Sequence, residues 1–347
     1  MAQPTEIYVD PAIAGDSGAG TIGDPFGDLE WAIEQTTFDT TNGTRVNIKA
    51  GTDEVLAADL SNALADVGTT AAWAPSEQAP CIFQGYTTTA GDGGKGGISG
   101  GGSVSIFNAP TQDYVSFIDI HAHNTGANVI LNLNDGISLL RCEFDNSTAD
   151  LVAVDAIGVV MGCKFHNGAA YGLTMRNSRA SFNSFENGTN DFTSAINCEQ
   201  QTSCERNLIK IDGASNGIRT ENDNHIIEWN SIWSNGGTGA GVIITGVNKT
   251  ISILINNMVE GFSGAGGIGF ALNATSSAVF VYAGNAAYNN TTNYAAPSDY
   301  VLDDWKGIGN ETLTASPFTD AANGDFSPVD TGSVKEGSIP YNFGDGQ

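Results

Sequence analysis

The chain is poor in cations. Thirteen Lys and Arg stand against 39 Asp and Glu in 347 residues, a formal net charge of −26. That balance excludes a nucleic-acid partner, because phosphates need a basic face to neutralise them. Long apolar runs are missing too. None approaches the roughly 20 residues required to span a bilayer, so no membrane insertion is expected. Cysteine numbers only five, an odd count that implies no disulfide framework. The start, Met-Ala-Gln-Pro-Thr-Glu, has neither the cationic nor the apolar region of a secretory signal, which predicts either synthesis in a cytoplasm or a mature form with a new start. Glycine is plentiful at 44 but has no three-residue period, which excludes collagen. A hydrophobic fraction of 40% is too high for a disordered acidic tail, so the chain folds.

A repeat is present. Six segments align: Ile120-His-Ala-His-Asn124, Cys142-Glu-Phe-Asp-Asn146, Cys163-Lys-Phe-His-Asn167, Asn183-Ser-Phe-Glu-Asn187, Asn207-Leu-Ile-Lys-Ile211 and Asn230-Ser-Ile-Trp-Ser234. Asn257-Met-Val-Glu-Gly261 and Asn285-Ala-Ala-Tyr-Asn289 continue the series, at spacings of 20 to 28 residues. Each alternates apolar and polar residues, the period-two mark of a strand with one buried face. Many lead into Asn167-Gly168, Asn187-Gly188, Asp212-Gly213 or Asn235-Gly236, residue pairs that tolerate the left-handed backbone of a sharp corner. Short strands, polar corners and this period predict an all-β, single-domain solenoid whose coils stack as parallel strands. A leucine-rich repeat is the weaker match, since neither its leucine signature nor a helix fills each unit.

Both ends of a solenoid need covering. Pro25 to Glu34 predicts a short N-terminal cap helix, with Phe26, Leu29, Ala32 and Ile33 at helical spacing and Pro25 in the first turn. The turn-rich stretch from Ser316 onward predicts an irregular C-terminal cap. The expected division is 1–44 for the N-terminal strand and cap helix, 45–311 for the β-helix and 312–347 for the closing segment.

Tyr8-Val-Asp10, Gly15-Asp16-Ser17, Gly20-Thr21 and Asp24-Pro25-Phe26 together resemble the opening of right-handed parallel β-helix proteins of the pectate-lyase-like superfamily. Ser316-Pro317-Phe318 followed by Asp320-Ala-Ala-Asn-Gly-Asp-Phe326 resembles their closing segment. The resemblance spans nearly the whole chain and implies a right-handed parallel β-helix. It says little about chemistry, because that scaffold hosts lyases, hydrolases, phage spikes and non-catalytic structural proteins.

Aligned as a wheel, the repeats give two inward columns. Ile120, Cys142, Cys163, Asn183, Asn207, Asn230 and Asn257 form one, whose amides are expected to bond rung to rung as in the asparagine ladders of that family. Ala122, Phe144, Phe165, Phe185, Ile209, Ile232 and Val259 form the other, a hydrophobic stack. Cys142 and Cys163 lie one rung apart, near enough for a disulfide, although cytoplasmic synthesis favours stacked thiols. Cys198 and Cys204 are a second possible pair.

The outward stripe reads Asp119/His121/His123, Arg141/Glu143/Asp145, Gly162/Lys164/His166, Phe182/Ser184/Glu186, Arg206/Leu208/Lys210 and Trp229/Ser231/Trp233. It gathers three of the four histidines and four of the thirteen cations. Trp229, Trp233, Arg141, Lys164, His166, Arg206 and Lys210 are therefore candidates for contact with a glycan or a partner subunit. Asp119, His121 and His123 are candidate metal ligands, since imidazoles and a carboxylate on one strand face suit a transition ion. Lyases of the resembled family use a Lys or Arg base with carboxylate-bound calcium, and hydrolases use paired carboxylates. Lys164, Glu143, Lys210 and Glu186 are the residues either scheme would draw on, yet no family catalytic motif transfers residue by residue. Glu221, Asp223, Asp303 and Asp304 are further acids that calcium would suit. Gly91-Asp-Gly-Gly-Lys-Gly96 formally matches GxGxxG but has no βαβ setting and is read as a loop.

The expected function is a non-catalytic structural or attachment protein. It would be an outward-facing phage virion component (capsid decoration, vertex or tail), made in the host cytoplasm and assembled as a homo-oligomer such as a trimer. Its partners would be other virion proteins, its own copies or a cell-surface glycan, with no cofactor other than calcium. The alternative is an extracellular polysaccharide lyase or glycoside hydrolase acting on an acidic glycan, or a glycan-binding module on the same scaffold.

Overall fold

The computed structural model describes residues 3–65, 73–102, 104–108, 113–126, 128–188, 191–221, 224–245, 251–272, 279–295 and 310–329. The chain falls into two compact units, Met1–Lys164 and Phe165–Gln347. Each is a stretch of the all-β parallel solenoid that the repeat predicts, and in each the strands fall into three sheets.

In the first unit one sheet stacks Asp53–Val55, Gly96–Ser99, Ile120–Gly126 and Glu143–Ser147 in parallel. In the second unit its counterpart stacks Ser184–Glu186, Leu208–Ile211, Ser231–Ser234, Met258–Glu260, Ala286–Tyr288 and Glu311–Thr312. Strands alternate buried and open residues, so one face of each sheet closes on the interior. The hydrophobic column is there in each unit: Phe144 pairs with Ala122 in the first, and Phe185, Ile209, Ile232, Val259 and Ala287 pair in register in the second, all fully buried. Phe165 and Phe185 stack with centroids 4.5 Å apart, and Phe83 and Phe117 do the same at 5.1 Å. Burying each such ring contributes about 1.5–3 kcal/mol.

The asparagine column forms a continuous ladder within the second unit. Each Nδ2 donates to the next Oδ1, from Asn183 to Asn207 (3.0 Å), Asn230 (2.9 Å), Asn257 (2.9 Å), Asn285 (3.0 Å) and Asn310 (2.9 Å). The same Oδ1 accepts the preceding asparagine's backbone N–H, as at Asn230 from Asn207 (3.0 Å). The second amide hydrogen goes to a backbone carbonyl, as from Asn230 to Cys204 (3.0 Å) and from Asn257 to Ile227 (2.8 Å). No side-chain amide in the middle of the ladder is left without partners, which is what a buried polar column needs.

The residue just before each inward position turns the corner. Asp119, Arg141, Phe182, Arg206, Trp229 and Asn256 all have φ between 54° and 59°, with Gly162 and Gly284 at 67° and 65° in the same role. This corrects the reading of Asp119, Arg141, Phe182, Arg206 and Trp229 as members of a flat strand face. Left-handed backbone is uncommon for such bulky residues and costs roughly 1–2 kcal/mol each. Contacts between successive corners offset it, as described below.

The N-terminal helix is Leu29–Gln35, with Asp28 Oδ1 accepting the Trp31 N–H at 2.7 Å. Pro25 therefore lies outside the helix, because Asp28 supplies the cap. Phe26, Leu29, Ala32 and Ile33 are buried as expected. Glu54 is buried beneath this helix, accepts the Leu29 N–H and is pushed up to about 7, mainly by burial and then by the nearby Asp28. A second short helix, Leu60–Ala65, was not indicated by the repeat. Among the described residues no helix is long and apolar enough to cross a membrane.

The closing segment is more regular than its composition suggests. Phe318–Asp320 and Asp325–Pro328 form an antiparallel hairpin around a short 3-10 turn at Ala321–Asn323, ended by left-handed Gly324. Phe318 and Phe326 meet edge to face at 5.2 Å and pack with Met258, Ala286 and Leu313. Leu208, Trp233 and Tyr288 border that cluster. The hairpin thus lies along the outward face of the sheet, covering its last rungs.

Candidate functional site

The first unit's sheet of Asp53–Val55, Gly96–Ser99, Ile120–Gly126 and Glu143–Ser147 gathers titratable side chains on its outward face. In-register pairing places Asp53 opposite Gly97, Gly97 opposite His121 and His121 opposite Glu143. His123 lies in register with Asp145 on the next column. Side chains from four successive rungs therefore converge.

His123 Nε2 lies 2.8 Å from Asp53 Oδ2, and His121 Nε2 lies 3.1 Å from Asp145 Oδ2. The two imidazoles stack nearly parallel, at 4.8 Å between centroids and 13° between planes. Lys95 Nζ reaches Glu143 Oε2 at 2.6 Å. The hydrogen bond to Asp145 raises the His121 pKa above its ordinary value, against partial burial that pulls it down. Gly97 makes the cluster possible. A Cβ there would collide with Asp53 Oδ1, so only glycine lets the carboxylate lean across the intervening rung.

Asp53, His121 and His123 each offer a ligand atom within 4.8 Å of the others. Asp119 is not among them, which corrects the sequence-based ligand set. Its carboxylate lies at the corner, only 4% exposed, and is bonded by Arg141 Nε and NH2 at 2.7 Å each. A residue at the left-handed corner points along a different direction from the alternating residues of the strand that follows.

The remaining stripe residues do not form one open surface. Arg141 is engaged by Asp119, and Lys210 pairs with Glu186 at 2.8 Å. Arg206 lies over the Phe182 ring at 5.4 Å from its centroid, which also supports two left-handed corners. Lys164 is exposed, and His166 and Trp229 are half-buried. Trp233 is half-buried beside the closing hairpin, so it is not the open stacking platform expected for it. Glu221 pairs with Arg219 at 3.0 Å, while Asp223, Asp303 and Asp304 lie outside the described residues. His225, the fourth histidine, is buried, with Nδ1 2.8 Å from Thr202 Oγ1. Of the Gly91–Gly96 stretch, residues up to Lys95 form a loop closed on Asp92, which accepts N–H groups from Thr87, Thr88, Thr89 and Gly94, and Gly96 opens a strand.

All five cysteines are free and buried. Cys142 and Cys163 are stacked thiols whose sulfurs donate to Phe117 and Leu139 carbonyls. Cys198 and Cys204 share a thiol–thiol hydrogen bond at 3.3 Å and form no disulfide. Burial raises the Cys163 thiol well above its usual value.

Asp53 and Lys95 escape the sequence alignment. Asp53 sits 70 residues before its partner His123, on a three-residue strand. Aligning Asp53-Glu-Val55 and Gly97-Ile-Ser99 with His121-Ala-His123 would have revealed the shared column, because all three alternate in the same phase.

No family model and no curated protein matches the chain. Solved structures do. The pectate lyase Pel9A superposes over 100% of this chain and 91% of its own, with a TM-score of 0.53 and 14% identity. XylC in complex with xylose superposes over 90% and 87%, with a TM-score of 0.52 and 8% identity. A rhamnogalacturonan lyase covers 95% and 96% at a TM-score of 0.49 and 12% identity. The likeness to Pel9A and XylC establishes the fold, that of the pectate-lyase-like parallel β-helix proteins, and nothing of the chemistry.

Proposed function

We propose that the protein is a non-catalytic structural or attachment protein. Its setting would be the outward surface of a phage virion, assembled as a homo-oligomer such as a trimer. The observation that carries this reading is internal pairing of the cations. Lys95, Arg141 and Lys210 are each held by a carboxylate of the same chain, as are Arg45, Lys49, Arg176, Arg179 and Arg219. A cation engaged in such a pair is less free to reach a sugar proton. The net charge of −26 repels a polyanionic glycan and keeps like particles apart. The satisfied asparagine ladder supports a stiff wall suited to an exposed particle.

The histidine–carboxylate face favours a second reading, a polysaccharide lyase, glycoside hydrolase or glycan-binding module. Pel9A is a pectate lyase and XylC is seen with xylose, so the scaffold admits carbohydrate. Exposed Lys164 is a cation available for such work, on the rung next to Glu143.

Incubation of the purified chain with a panel of uronic-acid polymers separates the two. The expected outcome is neither unsaturated products nor new reducing ends. Turnover that disappears in Lys164→Ala or Glu143→Ala would overturn the structural reading.

A further inference from the structure

We propose that Asp53, His121 and His123 form a binding site for one divalent transition-metal ion of the zinc class. The inference stands whether or not this face meets a glycan.

Three observations point to it. First, the donor set is two imidazoles and one carboxylate, with ligand atoms within 4.8 Å of one another. Nitrogen-rich sets of this kind suit zinc and its first-row neighbours, whereas calcium and magnesium prefer oxygen alone. Three protein ligands leave a coordination position for water. Second, the geometry is held from outside. Asp145 holds His121 through Nε2, a carboxylate–histidine contact of the kind that orients metal-bound imidazoles when the metal takes the other ring nitrogen. Stacking of the two rings fixes their separation. Third, Asp53 is admitted by a vacant side-chain position. Gly97 is buried between Asp53 and His121 in the register, and any side chain there would push the carboxylate away.

Electrostatics agree. Asp53, Glu143 and Asp145 surround the imidazoles, with the Lys95 ammonium held on Glu143 and Lys164 one rung further on. The site is open to ions, with side-chain exposures of 45% for Asp53, 31% for His121 and 18% for His123. Without a metal these residues satisfy one another by hydrogen bonds, so the test must read the ion itself.

The full chain, stripped with a chelator and dialysed, is titrated with Zn²⁺ by calorimetry and with Co²⁺ by visible absorption. One equivalent of either ion is expected to bind, with excess Ca²⁺ failing to compete. His121→Ala, His123→Ala and Asp53→Asn should each weaken binding by on the order of 100-fold or more, and Asp145→Asn by about 10–100-fold. Asp119→Asn, which leaves these ligands untouched, should bind as wild type does. Circular dichroism checks that each variant folds. Should an alanine variant unfold, the wild-type Co²⁺ spectrum decides, because mixed nitrogen–oxygen coordination is expected and the spectrum of free aqueous cobalt contradicts it. Absence of saturable binding near one equivalent, or unchanged affinity in both histidine variants, would overturn the proposal.

Discussion

His123 and Asp53 touch at 2.8 Å although 70 residues of chain separate them. The strand between them on the sheet contributes Gly97, and its missing side chain turns second-nearest rungs into neighbours. Stacked coils convert sequence spacing into proximity, and the following outcomes depend on that conversion.

Asn230 sits mid-ladder, accepting from Asn207 and donating to Asn257 and the Cys204 carbonyl. Asn230→Ala leaves several buried partners unsatisfied at once. A loss of about 3 kcal/mol or more is expected in denaturant unfolding, whereas Asn310→Ala at the ladder's end should cost about 1 kcal/mol. Equal effects would show that the ladder contributes no cooperativity.

Arg141 and Asp119 form an asymmetric pair, with the guanidinium 56% exposed and the carboxylate 4%. Arg141→Ala strands a buried charge and should destabilise by about 3 kcal/mol. Asp119→Ala leaves a cation that water can reach and should cost less. Arg141→Lys should not rescue, since the contact is bidentate. Equal losses for both alanine variants would contradict this picture.

Phe326 is 4% exposed within the closing hairpin's cluster. Phe326→Ala should cost about 3 kcal/mol and move the emission of Trp233, which borders the cluster, toward longer wavelength. An unshifted spectrum would mean the hairpin does not cover that ring.

Glu260 is buried near the hairpin and accepts a hydrogen bond from Ser316 Oγ at 2.6 Å. Burial raises its pKa above the ordinary 4.5, outweighing that bond. The folded chain therefore holds this proton more tightly than the unfolded chain. Its contribution is fully present below pH 4.5 and fades as pH rises through the folded value. Relative to wild type, Glu260→Gln should flatten that descent and be the more stable form at neutral pH. Identical stability–pH profiles would contradict the assignment.

Much of the fold is legible in the sequence, because parallel stacking repeats one chemical demand at every rung. Buried positions ask for Phe, Ile or Val, and one polar column asks for Asn, so both show as columns in an alignment. The column runs one rung further than the alignment suggested, to Asn310, whose rung has only the two-residue strand Glu311–Thr312. The corners were less legible. Left-handed backbone usually signals Gly or Asn, yet here Asp119, Arg141, Phe182, Arg206 and Trp229 adopt it. Their support comes from the neighbouring corner, Arg141 on Asp119 and Arg206 on Phe182, which no local rule anticipates. That is why Asp119 was grouped with the histidines. The site was half legible: alternation brought out His121 and His123, but Asp53 lies on a strand too short to display a period. Trp233 looked open because pattern alone cannot show which outward face a terminal hairpin covers.

Diffraction from crystals of the full chain grown with zinc, recorded at the metal's absorption edge, tests the rung register most directly. One anomalous peak bounded by Asp53, His121 and His123 is predicted, with Gly97 facing the carboxylate. A map that places Asp53 away from His123, or locates the metal elsewhere, would contradict it.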